Sequence, residues 1–191
     1  MRKITCSILL SLIGIYCNGQ VKIFVKFYCQ NSSASLTSCD LITEENTANH
    51  TDEIPITTFS DEDSTTLQNT GGAGAGKAQM LSTVFSKQGS VNSAVFALNL
   101  YSGKFMRKVQ FTIYDSQDRP IQTVVFGLVL IKRIARVAAS CTNTCPGVIE
   151  NYTFTSQQKL ITSYSYGSSG SPTMVTSGWD FVANRAISTI N

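Results

Sequence analysis

Histidine is nearly absent from this chain of 191 residues, and His50 is the only one. A lone imidazole in a stretch rich in Ser, Thr, Asp and Glu excludes histidine-rich metal sites. It also argues against a Ser-His-Asp hydrolase, whose base needs a held geometry. No Lys or Arg lies between Lys26 and Lys77, and no cysteine lies between Cys39 and Cys141. The first gap leaves Asp40, Glu44, Glu45, Asp52, Glu53, Asp61, Glu62 and Asp63 without a local cation, and the second excludes a cysteine framework through the middle of the chain. After residue 16 no apolar run is long enough to span a bilayer, so release rather than anchorage is expected.

The start of the chain carries the strongest positive signal. Arg2 and Lys3 precede an apolar stretch over residues 4–16, and Cys17, Asn18 and Gly19 form a short polar end. That is the anatomy of a secretory signal peptide covering residues 1–19. Tyr16 stands where a lipoprotein signal needs a small residue, so lipidation at Cys17 is not expected. The mature protein is then secreted and extracellular. Its cysteines reduce to Cys29, Cys39, Cys141 and Cys145, an even number in an oxidising compartment. Pairing Cys29 with Cys39 and Cys141 with Cys145 is the most local of three connectivities, and two long-range bridges stay open. Zinc would need about four N or S ligands, and only His50 and distant cysteines could complete such a set.

Removing the leader lowers the formal charge from +3 to +1 and exposes a division along the chain. The basic residues from Lys77 onward face only Asp115, Asp118, Glu150 and Asp180. The acidic half reads as a solvated, flexible excursion at about residues 40–76, closed by the run Gly71-Gly72-Ala73-Gly74-Ala75-Gly76. Gly71, Gly76 and Lys77 imitate a phosphate-binding loop, but Ala78 stands where a hydroxyl must reach magnesium. Neither a nucleotide nor nucleic acid is expected as a partner.

Alternation of apolar and polar residues predicts strands over residues 20–29, 79–85, 94–100, 109–114, 122–130, 152–155 and 160–166. Several short strands with polar turns imply an all-β antiparallel sandwich over residues 20–166, followed by a linker and C-terminal segment over 167–191. Leu128, Ile131, Ala135 and Ala138 recur at helical spacing near Lys132, Arg133 and Arg136. A cationic, membrane-active helix over residues 129–138 is therefore the alternative functional reading, set against a half-buried element of the domain. Asp115 and Asp118 flank a turn between two strands, where carboxylates can converge on calcium with help from Asp40 or another loop carboxylate. No other cofactor is expected. Sequons at Asn31, Asn49 and Asn151 are glycosylation candidates.

The order of segments resembles a known family. Val21 to Ser33, then Leu36-Thr37-Ser38-Cys39-Asp40, is similar to the opening of the N-terminal module of Delta and Serrate type Notch ligands. The segments Phe96 to Phe105, Val109 to Asp118, Leu130-Ile131-Lys132-Arg133-Ile134 and Leu160 to Tyr166 resemble later parts of that module. The resemblance spans residues 21–166 and lacks the family's downstream cysteine-rich module and EGF repeats. It implies a C2-like sandwich that recognises a cell-surface receptor, such as one of Notch type, without catalysis. Residues 30–38 and 115–120 would be its contact loops, with calcium at Asp115 and Asp118. Neither loop has an apolar tip, so phospholipid contact ranks below protein contact.

Overall fold

The computed structural model describes residues 21–29, 39, 41, 50, 52–66, 77–138, 147–168 and 170–190. The leader, Asn31, Asp40, Asn49, Cys141, Cys145 and the glycine run at 71–76 lie outside the described residues. In chain order the elements are β1 (Lys22–Tyr28), β2 (Ile54–Ile56), β3 (Thr58–Thr66), β4 (Lys77–Gln88), α1 (Ser93–Ser102), β5 (Met106–Tyr114), β6 (Pro120–Ala138), β7 (Val148–Thr155), β8 (Gln158–Tyr166), β9 (Pro172–Asp180) and β10 (Arg185–Ala186). Every strand pairing is antiparallel, as the alternating pattern leads one to expect.

Two chain segments change sheets and so close the strands into a circuit. The first half of β6 pairs with β5 and β8, and its second half pairs with β7. At the junction Leu128 takes φ 54°, a left-handed conformation that costs a branched side chain energy. The inward phase shifts there: Val124 and Phe126 point to the core before the junction, Val129 and Ile131 after it. The other crossing is at Thr57, between β2, which pairs with β1, and β3, which pairs with β4. The Thr57 amide donates to the Ser86 carbonyl of β4 at 2.7 Å. The circuit β1, β5, β6, β7, β4, β3, β2 and back to β1 is a barrel, and β8, β9 and β10 extend it as a wing from β6.

Aromatic rings fill the barrel. Phe111 is fully buried and lies parallel to Phe154, with centroids 5.8 Å apart and planes within 2°. On its other side Phe59 stacks at 4.3 Å. Helix α1 covers one end by inserting Phe96 against Phe27 and Tyr152, at 5.2 and 5.0 Å.

Four sequence expectations change. Residues 94–100, expected as a strand, belong to α1: Phe96 and Asn99 share its buried side, and Gly103 ends it at φ 61° by donating its amide to the helix's last carbonyls. Residues 129–138 continue strand β6, laddered to β7, so the cationic amphipathic helix does not form. The acidic residues Asp61, Glu62 and Asp63 sit in β3 and not in an excursion. Beyond Tyr166 the chain does not leave the domain: β9 pairs along the whole of β8, and the Gly170 amide donates to Gly167 in the turn between them.

Candidate functional site

The turn between β5 and β6 holds both proposed calcium carboxylates. One Asp115 oxygen accepts the Gln117 and Arg119 amides at 2.8 and 3.0 Å, and the other accepts the Arg119 guanidinium at 2.9 Å. These bonds, the Arg119 amide first, hold the Asp115 carboxyl below its ordinary range. Asp118, at φ 58°, pairs with Lys22 at 2.7 Å, and that bond likewise lowers its carboxyl. Both groups are thus engaged by protein cations, whereas calcium takes six to eight oxygens. Among the described residues no group of three or more His, Cys, Asp or Glu is placed to hold a metal.

Against that turn lies His50, only 3% exposed. Its ring stacks on Phe24 at 4.0 Å and meets Tyr114 edge-on at 4.8 Å. Nδ1 is 2.8 Å from Glu53, while Nε2 is buried without a hydrogen-bond partner and 3.8 Å from Asp118. Burial, followed by the Glu53 charge, pushes the Tyr114 hydroxyl up to about 12. A carboxylate orients this imidazole, but no hydroxyl or thiol among the described residues is bonded to Nε2 as a nucleophile. What the ring does is cover Phe24, which the alternation of β1 places on its outer face.

A second polar cluster ties α1 to the barrel. Glu150 of β7, 1% exposed, accepts Ser93 Oγ at 2.6 Å, Arg136 Nε at 2.6 Å and the Tyr152 hydroxyl at 2.5 Å. Burial works to raise its carboxyl, and the three hydrogen bonds outweigh burial and hold it below the ordinary range. Asp180 is also lowered, by the Ala183 amide and the Gln158 carboxamide. A carboxylate depressed in the folded state stabilises the fold above its unfolded pKa and loses that contribution as pH falls through the folded value. The melting temperature should therefore fall progressively below about pH 4. Glu150→Gln, which cannot ionise, should start lower and lose less on acidification. A wild-type melting temperature that holds or rises from pH 5 to pH 2.5 would contradict this linkage.

Of the remaining candidates, Cys29 and Cys39 form a disulfide with Cα atoms 5.0 Å apart. Asn151 is half-buried in β7, a strand paired on both edges, and its carboxamide oxygen accepts Ser86 Oγ at 2.5 Å.

A third cluster has no counterpart in the sequence reading. Lys159 of β8, 5% exposed, donates to Asp61 and to Asp63 of β3, each at 2.5 Å. These partners are 98 and 96 residues from it in sequence, so no local pattern could reveal the cluster. Beside it opens a cleft of about 420 Å3 between β3 and the β8–β9 hairpin, lined in part by Ile161, Trp179 and Phe181. On another face Val91, Leu98, Tyr101 and Phe105, in and around α1, are 67, 64, 76 and 50% exposed. The helix itself carries no charged residue.

No protein-family model and no curated protein matches the sequence. Solved structures do match. A type six secretion system protein superposes with a TM-score of 0.71 at 15% identity, over 88% of this chain and 100% of that one. Hcp1 from Salmonella typhimurium gives 0.65 at 17% identity, over 87% and 99%. A type VI secretion system effector from Yersinia pestis gives 0.59 at 18% identity, over 83% and 98%. The fold is therefore Hcp-like. That finding overturns the resemblance to Notch-ligand modules, and with it Notch signalling, the receptor-binding role and the cell-surface receptor partner. The resemblance rested on the order of alternating strands, which antiparallel folds of many kinds supply. The membrane-active alternative is corrected too, because its segment is a strand of the barrel.

Proposed function

We propose that this chain is an exported, non-catalytic building block of a type VI-like secretion assembly, working by association with copies of itself. The observation that carries the reading is the extent of the fold match: the barrel and its wing together superpose on the whole of a type six secretion system protein. A match of that extent leaves little of the chain to form a separate catalytic unit. Two surface features support it. The second half of β6 is laddered only to β7 among the described residues, leaving one edge open beside the exposed Lys132 and Arg133. The exposed apolar and aromatic side chains of Val91, Leu98, Tyr101 and Phe105, in and around α1, are of the kind that marks an interaction site. Residues 1–19 supply the export signal, and the Cys29–Cys39 bridge suits an oxidising destination.

Copies joined through unlike surfaces form rings when the rotation closes and filaments when it does not. Light scattering and electron microscopy of the protein from Gln20 onward should show rings or stacked rings. Leu98→Glu together with Tyr101→Glu should shift the population toward monomer. A monodisperse monomer at every concentration reached would end the proposal.

A further inference from the structure

We infer that the cleft between β3 and the β8–β9 hairpin is a docking groove for an extended, lysine- or arginine-bearing segment of a partner protein. Its first wall is formed by Asp63, Ser64 and Thr65 of β3, an edge strand, with Ala78 of β4 beside them. β3 pairs only with β4, so along its outer side the backbone amides and carbonyls have no ladder partner among the described residues. Such an edge is a template for one added strand. The opposite wall is the inward face of the wing, where register places Lys159 across from Trp179 and Ile161 across from Ser177. Ile161, Trp179 and Phe181 make that side apolar, and the cleft between the walls holds about 420 Å3.

Charge selects the occupant. Asp61 and Asp63 both turn to Lys159, one cation for two carboxylates, so these three side chains together keep a negative charge beside the cleft. The Asp61 side chain is 14% exposed, but that of Asp63 is 42% exposed and can accept a second cation from solvent. The register shift between Glu62 and Asp63 and the carboxylates on this edge disfavour uncharged strands, which is how edges avoid unselective pairing. A strand bearing a basic residue opposite Asp63 escapes that penalty, and its apolar side chains two positions away, on the same face, fall on the side of Ile161 and Trp179.

This groove is separate from the α1 stripe and the β6 edge, so it can be tested whether or not the protein assembles. Trp179 is the only tryptophan, which makes its emission a probe of this one site. The mature protein is titrated with a nine-residue peptide that has Lys at its centre, Val two positions to either side and Thr elsewhere, and with its Glu-for-Lys counterpart. The Lys peptide should shift the emission saturably and the Glu peptide should not. Asp63→Asn should weaken binding about tenfold, the worth of one hydrogen bond to a charged group. Ala78→Arg, which fills the cleft from β4, should abolish it in a protein whose melting curve shows it folded. An unshifted emission, equal binding of the two peptides, or full affinity in both variants would overturn the inference. So would an emission shift that follows protein concentration alone and blocks the peptide, because a second copy would then be the occupant.

Discussion

Phe111→Ala is expected to cost about 3–5 kcal/mol of folding stability, the range for removing a large buried side chain whose site collapses only partly. Phe111 is where the two halves of the barrel meet. It stacks on Phe59 from β3 and Phe154 from β7, and it lies edge-on to Phe126 from β6 at 5.8 Å. With Phe85 of β4 at 5.6 Å, rings from four other strands therefore lose a neighbour together. Domains of this kind are stable by only about 5–15 kcal/mol, so the variant should be near the edge of folding. Urea titration reads the effect as a lower midpoint with an unchanged slope. Phe111→Leu, which keeps much of the volume, should lose markedly less. A loss under about 1 kcal/mol for the alanine variant, the size of an average substitution, would show that Phe111 does not join the two halves.

Lys159→Met should be the most damaging substitution outside the aromatic core. It removes the one cation that Asp61 and Asp63 share and leaves two carboxylates facing each other across a poorly solvated gap. Removing one partner of a buried pair costs about 3–5 kcal/mol. The loss here should fall at or below the lower end, because the Asp63 side chain is 42% exposed and water screens it. Adding Asp61→Asn and Asp63→Asn to Lys159→Met should recover most of the loss, since the penalty comes from unpaired charge and not from a missing contact. If the triple variant is no more stable than the single one, packing of the lysine stem is responsible instead. The surface pair of Lys22 and Asp118, with side chains 50 and 30% exposed, is the contrast: removing it should cost no more than about 1 kcal/mol.

Much of the sheet was legible because a strand with one buried face repeats every two residues. Val25 and Phe27 in β1, Val109 and Phe111 in β5, and Tyr152 and Phe154 in β7 are all core residues at that spacing. The pattern failed where two residue spacings compete. In residues 93–102 the apolar positions satisfy both a strand and a helix, and the space over Phe27 and Tyr152 decided for the helix. It failed again at Leu128, where a single left-handed residue moves the inward phase by one position. The candidate groove was not legible at all. Asp61-Glu62-Asp63 has the composition of a loop, and only Lys159, far away in sequence, makes a strand of carboxylates tolerable there. His50 misled for a related reason: polar neighbours in sequence hid the aromatic partners it finds in space.

By itself, then, the sequence determined an antiparallel all-β protein and a separation of acidic and basic residues along the chain, and it offered Cys29–Cys39 as the most local of three connectivities without selecting it. These are properties of short range, set by residue periodicity, loop length and composition. Only the tertiary structure decided that the strands close into an Hcp-like barrel, that Asp61, Glu62 and Asp63 lie in an edge strand, and that Trp179 and Lys159 come to share a cleft with it. Those outcomes depend on contacts across nearly a hundred residues. Each was settled by which burials and charge pairings could be satisfied together in one packed chain.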